Sequence, residues 1–111
     1  MGAVAEQTAA RYLIGRGHTI IEKNWKRRYC EIDIVSVHNG IYYFTEVKYR
    51  KSNHQGSGKD MITPKKLRQM SFAAKMYIQS KHLEAHNAVL AGASMTGDPP
   101  YIEEWLVIEH S

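Results

Sequence analysis

Cysteine, long apolar runs and targeting signals are absent or nearly absent from this 111-residue chain. Cys30 is the only cysteine, which excludes an internal disulfide and a cysteine-rich zinc site. No apolar run approaches the roughly 20 residues that a membrane-spanning helix needs. The N-terminus lacks the basic stretch and apolar core of a signal peptide. We therefore expect one domain over residues 1–111, located in the cytoplasm and without a membrane partner.

Positive charge is also absent from the C-terminal part of the chain, where no Lys or Arg follows Lys81. Thirteen of the fifteen Lys and Arg lie between Lys23 and Lys81, and only four acids accompany them. A basic segment of this kind favours a polyanionic partner such as DNA. The alternative is a generally basic globular domain. Three of the four acids fall within one predicted hairpin: Glu31, Asp33 and Glu46.

That hairpin is residues 30–50, CEIDIVSVHNGIYYFTEVKYR, in which two β-branched and aromatic runs flank one Asn-Gly pair. Asn-Gly favours a type I′ turn, because both central residues of that turn have positive φ. A turn at this pair places Asp33 opposite Glu46, and Glu31 opposite Lys48. Because side chains alternate along a strand, all four are expected to project from one face of the hairpin.

Two carboxylates directly opposite each other destabilise a sheet by up to about 1 kcal/mol. The pair of Asp33 and Glu46 is tolerable if a hard divalent cation lies between its oxygens. The amine of Lys48 could then hold a phosphate or polarise a water. The alternative is a solvated strand face with an ion pair between Glu31 and Lys48, and a β-bulge would shift the register and remove the argument.

The remaining sequence predicts a helix before the hairpin, and a helix and two strands after it. In the first helix, over residues 2–16, Glu6 shares a face with Ala9 and Leu13. Glu6 either points inward towards the hairpin or is a first-turn glutamate favoured by the helix dipole. The other predictions are a strand over 18–23, a basic connector over 24–29, a helix from 64 to about 81, and strands over 88–94 and 101–109.

Basic side chains cluster in three places. In the connector they alternate with aromatic residues, a pattern that suits phosphate contact and base stacking. Residues 50–61 form a long basic loop that either closes over nucleic acid or is disordered. Thr63-Pro64 is a typical helix start, and the cations in the following turn either serve an anionic ligand or form a solvated face. The predicted nucleic-acid contacts are Lys26, Arg27, Arg28, Arg50, Lys51, Lys59, Lys65, Lys66 and Arg68.

Taken in order, a helix with Glu6, the EID of residues 31–33, the EVK of residues 46–48 and a basic helix resemble the PD-(D/E)xK nuclease superfamily. The runs AEQTAARYL, KNWKRRYCEIDIV, FTEVKYR and ITPKKL are similar to the small bacterial YraN/UPF0102 family, which is related to archaeal Holliday-junction resolvases. They cover most of residues 4–78. The chain departs from the family pattern at Ala5 and Cys30, where glycine is usual.

The resemblance implies an α/β, restriction-endonuclease-like fold with a central mixed β-sheet of about five strands flanked by helices, in α-β-β-β-α-β-β order. It implies that Asp33 and Glu46 bind Mg²⁺ or Mn²⁺ together with the carbonyl of Val47. Lys48 would position or deprotonate the attacking water, and Glu6 would reach the metal directly or through water.

The implied activity is metal-dependent hydrolysis of DNA phosphodiester bonds. Branched DNA is the favoured substrate, RNA is an alternative, and a homodimer is compatible with this activity. Two other functions remain open. One is a nucleic-acid-binding module with little or no catalysis, and the other is a protein-interaction domain in DNA uptake or repair.

Overall fold

A computed structural model describes residues 2–51, 62–84 and 87–110. The predicted α/β class and the predicted order of elements are confirmed. Within the described ranges, no helix is long and apolar enough to cross a membrane. The elements are α1 (Gly2–Gly15), β1 (Thr19–Arg27), β2 (Cys30–His38), β3 (Ile41–Arg50), α2 (Pro64–Ser80), β4 (Ala88–Thr96) and β5 (Tyr101–His110).

The five strands form one mixed sheet in the spatial order β1-β2-β3-β4-β5. Strands β3 and β4 are parallel, and the other neighbouring pairs are antiparallel. A parallel pair needs a long crossover connection, and α2 lies in it. Strand β3 is therefore in the middle of the sheet, with the hairpin partner β2 on one side and β4 on the other.

The two helices cover opposite faces of the sheet. Leu13 of α1 packs in one hydrophobic cluster with Ile34, whereas Tyr77 of α2 packs in another with Val35 and Phe44. Because Ile34 and Val35 are adjacent on β2, their side chains point to opposite faces. Each face of the central hairpin is therefore buried by one helix.

The predicted hairpin turn is confirmed, and the predicted register is confirmed as far as Ile34 and Thr45. Both residues of the Asn-Gly turn have positive φ, 52° and 76°. The pairing runs from the turn to Ile34 and Thr45 without a register shift. Asp33 and Glu46 lie immediately beyond this last pair, so the predicted pairs of Asp33 with Glu46 and of Glu31 with Lys48 are not among the paired positions.

The prediction of a basic connector over residues 24–29 is wrong. Strand β1 continues to Arg27, and the turn contains only Arg28 and Tyr29. The reason is Trp25, which pairs with Ile32 and is buried in the cluster beneath α2. Its burial holds this segment in the sheet, although the neighbouring Lys and Asn residues are uncommon in strands.

Candidate active site

Asp33 lies where the paired part of the hairpin ends. Its Oδ2 accepts a hydrogen bond of 2.7 Å from the backbone N–H of Val47. The Asp33 side chain thus takes the place of a β2 backbone acceptor for the Val47 N–H, just beyond the last paired position of the hairpin. This bond holds the Asp33 carboxyl beside the carboxyl of Glu46, with which it interacts directly. The structure therefore brings together the two carboxylates that the sequence predicts as neighbours.

Glu46 is contacted from the other side by α2. The Nζ of Lys66 lies 2.7 Å from its Oε2, and both side chains are at least two-thirds buried. The helix start that positions Lys66 is the predicted one: the Oγ1 of Thr63 accepts a hydrogen bond from the Lys66 backbone N–H at 3.0 Å, and Pro64 follows. This N-cap fixes the first turn of α2 against the middle of β3.

Glu6 reaches the same site from α1. Its Oε1 is buried and has no hydrogen-bond partner in the described part of the chain. The first turn of α1 contains no acid, so the first-turn alternative is wrong and the inward orientation is the observed one. A buried carboxylate oxygen without a partner is costly, and here its negative charge also acts on Asp33.

Burial raises the pKa of Asp33 to about 7. The hydrogen bond from the Val47 N–H opposes this rise, and the neighbouring Glu46 and Glu6 add to it. With its pKa at about 7, Asp33 takes up a proton or a cation more readily than an isolated aspartate does. The arrangement is thus an acidic cluster that favours uptake of a proton or a cation near neutral pH.

This raised pKa predicts how stability depends on pH. The pKa of Asp33 is higher in the folded than in the unfolded chain. Its contribution to the stability of the folded state is therefore fully present below about pH 4 and is lost as the pH rises through about 7. Asparagine does not ionise, so we expect the Tm of Asp33→Asn, relative to wild type, to rise by several degrees between about pH 4 and pH 8 in EDTA.

Thermal denaturation of both proteins across this pH range checks the expectation. Glu31→Gln is the matched control, because Glu31 is an exposed carboxylate on the same strand. Its Tm should follow that of wild type at every pH. A constant Tm difference between Asp33→Asn and wild type would contradict the raised pKa.

The lysine that touches the cluster is not the predicted one. Lys48 is exposed, and in the described ranges it forms no ion pair or hydrogen bond, including the ion pair considered with Glu31. Lys66 was predicted only as a nucleic-acid contact, and its pairing with Glu46 was missed. One signal pointed to it: cations crowd the first turn of α2, where the helix dipole disfavours them.

The donor set of this cluster fits a small hard cation. Carboxylate oxygens are the ligands that Mg²⁺ and Mn²⁺ prefer, and Asp33, Glu46 and Glu6 supply them beside Val47. A cavity of about 10 Å³ lies against Asp33 and Glu46, enough for roughly one water-sized sphere. In the described residues, no three His, Cys, Asp or Glu side chains are already arranged around a common metal position. A cation would therefore have to displace Lys66 from Glu46.

A basic groove leads from this cluster to the turn between β1 and β2. It has a volume of about 390 Å³, and its walls include Glu46 and Lys66 at one end and Lys26, Arg27 and Arg28 at the other. At the same turn, the Tyr29 side chain is 80% exposed, and the guanidinium of Arg28 lies 5.4 Å from its ring centre. Cations and an exposed aromatic ring thus share one groove with the Glu46 carboxylate.

The other predicted nucleic-acid contacts are more scattered. Lys51 is exposed just after β3, and Arg50 is half-buried at its end. Lys65 and Arg68 are exposed on α2 and do not line the groove. Lys59 and the predicted loop between Lys51 and Ile62 lie outside the described residues.

The fold and the site define a small α/β protein whose central strands carry paired carboxylates at the end of a basic groove. Residues 5–92 match the model of a family described as "Uncharacterised protein family UPF0102". The chain belongs to the UPF0102 family, which confirms this part of the resemblance drawn from its motifs.

Individual relatives agree with this assignment. A UPF0102 protein of Cytophaga hutchinsonii is 43% identical over 77 residues, which cover 69% of this chain and 68% of that protein. One from Syntrophomonas wolfei is 38% identical over 80 residues, or 72% of this chain and 70% of that protein. One from Neisseria gonorrhoeae is 31% identical over 105 residues, which cover 95% of this chain and 90% of that protein.

Proposed function

We propose that this protein is a metal-dependent endonuclease that hydrolyses phosphodiester bonds in DNA. The observation that carries the proposal is the contact between the Asp33 and Glu46 carboxyls, beside a buried, unpartnered oxygen of Glu6. An ionised Asp33 is unfavourable for folding at this place, because burial and the neighbouring carboxyls oppose its ionisation. Groups perturbed in this way are common at catalytic sites, and this one opens on a groove lined with cations.

The chemistry would be divided among a few side chains. A divalent cation held by Asp33 and Glu46 would polarise the phosphate and lower the pKa of a bound water. Lys48 lies two residues further along β3, on the same face as Glu46 and exposed, so that its amine can hold a water or a phosphate oxygen. Glu6 would orient the water or complete the set of ligands from α1.

The groove would bind the sugar-phosphate backbone. Lys26, Arg27 and Arg28 supply cations for phosphates, so the affinity that these contacts contribute should depend on salt and little on sequence. Tyr29 offers an exposed ring on which an unpaired base can stack. Duplex DNA presents few unpaired bases, whereas flaps and branches present several, so we favour a branched or flapped substrate.

A second function is favoured by one specific observation. Lys66 already neutralises Glu46 with an ion pair of 2.7 Å, and Lys48 has no contact with either carboxylate. In a protein that binds nucleic acid without cutting it, this ion pair would stay intact when the nucleic acid binds. Such a protein would use the same groove and need no divalent ion.

Cleavage of linear, flapped and four-way DNA in Mg²⁺ and in Mn²⁺ separates the two functions, with DNA binding measured beside it. The endonuclease should nick flapped or four-way DNA and stop when EDTA is added. Binding without cleavage in either ion would support the binding module instead. Neither binding nor cleavage at about 0.15 M salt would contradict both and leave a protein-interaction domain.

A further inference from the structure

A second cavity, of about 490 Å³, lies beside the N-terminal turn of α2 over strands β4 and β5. Its walls are mostly apolar and include Leu67 and Leu106. Its polar lining includes Ser94 and Glu104. None of the catalytic or nucleic-acid-binding residues discussed so far lines this cavity.

The cavity nevertheless adjoins the catalytic strand. In the parallel pair of β3 and β4, Glu46 is the partner of Gly92 and Lys48 is the partner of Ser94. Ser94 is in turn the partner of Glu104 on β5. Register partners project from the same face of a sheet, so the cavity opens on the side that carries Glu46 and Lys48. Glu104 lies two strands, or roughly 10 Å, from Lys48 along this row.

Glu104 has an unsatisfied acceptor. Its Oε1 is buried and has no hydrogen-bond partner in the described ranges. Leaving a buried acceptor unpaired is costly, and turning the carboxylate towards an N–H donor bound in the cavity would remove that cost. The cavity therefore combines apolar walls with a carboxylate that has an unpaired oxygen.

We propose that this cavity binds one unpaired nucleobase of the DNA strand, with Glu104 accepting hydrogen bonds from its exocyclic amino group. The inference rests on the proposed function and specifies its substrate. The apolar walls would cover the faces of the base, and a carboxylate is the usual partner of the cytosine N4 amino group. Thymine presents a carbonyl oxygen at that position, which Glu104 repels.

This arrangement selects the kind of DNA as well as the base. Taking a base out of a duplex costs free energy, and the cost is least where the base is already unpaired. The preferred substrate is therefore DNA with an unpaired cytosine close to the cleaved bond, as in a flap or at a branch point.

The test uses flapped DNAs that differ only in the base next to the junction: cytosine, thymine or an abasic site. Fluorescence anisotropy in EDTA measures affinity, so that the result does not depend on cleavage. Wild type should bind the cytosine flap at least about 5-fold more tightly than the thymine flap. Glu104→Gln should remove this preference, whereas Glu103→Gln, the exposed neighbour on the same strand, should keep it.

Equal affinity of wild type for the three flaps would overturn the proposal, even if Glu104→Gln failed to fold. So would a preference that survives in a folded Glu104→Gln protein. A change of oligomeric state in Glu104→Gln, seen by sedimentation with no change of base preference, would assign the cavity to a second copy of the chain and also overturn it. Cleavage without base preference refutes only this inference, whereas base preference without cleavage refutes only the nuclease.

Discussion

Glu46→Gln and Asp33→Asn should each lower the rate of DNA cleavage by about 100- to 1,000-fold. Each substitution removes one anionic ligand of the proposed cation while keeping the shape of the side chain. Their affinity for DNA in EDTA should change little, because the cations of the groove remain in place. Single-turnover cleavage in Mn²⁺ and anisotropy in EDTA measure the two effects separately.

Glu31→Gln is the control for this experiment. Glu31 is an exposed carboxylate that lines the small cavity beside Asp33 and Glu46. Its replacement tests whether the loss of any negative charge at this place is sufficient to lower the rate of cleavage. Glu31→Gln should retain most of the cleavage activity. Activity that survives in both Asp33→Asn and Glu46→Gln would show that the catalytic centre lies elsewhere.

Lys66→Met should change cation binding and DNA binding in opposite directions. The Nζ of Lys66 holds the Oε2 of Glu46 at 2.7 Å, so a cation must displace it. Removing the amine should tighten Mn²⁺ binding by about 10-fold, the equivalent of one partly buried ion pair. Once displaced, the amine is free to contact a phosphate, so its removal should weaken DNA binding and slow cleavage.

Lys65→Met separates this effect from the loss of one positive charge. Lys65 is the exposed neighbour on the same helix turn, and its removal changes the long-range field by a similar amount. Calorimetric titration with Mn²⁺ should show tighter binding in Lys66→Met than in Lys65→Met. Equal affinities in the two variants would show that Lys66 does not compete for Glu46.

Local patterns predict the central hairpin and the start of α2 correctly. The Asn-Gly pair has positive φ at both residues, and from that turn the alternation of side chains places Asp33 beside Glu46. Thr63-Pro64 likewise starts α2 with the expected hydrogen bond. These features depend on residues that are close in sequence, which is why a single sequence is sufficient to predict them.

The features that were missed depend on packing between distant segments. Trp25 is held in a strand by burial under α2, which its polar neighbours do not indicate. The contact of Lys66 with Glu46 requires that α2 cross the sheet at one particular place. The position of Glu104 relative to β3 depends on two strand pairings, β3 with β4 and β4 with β5.

Titration of the protein with Mn²⁺ at about pH 8 tests most directly whether Asp33 and Glu46 form a cation site. Electron paramagnetic resonance or calorimetry should detect one saturable ion per chain in wild type and none in Asp33→Asn or Glu46→Gln. Binding should weaken as the pH falls below about 7, because a proton on Asp33 competes with the ion. No saturable binding, or binding that both variants retain, would contradict the site.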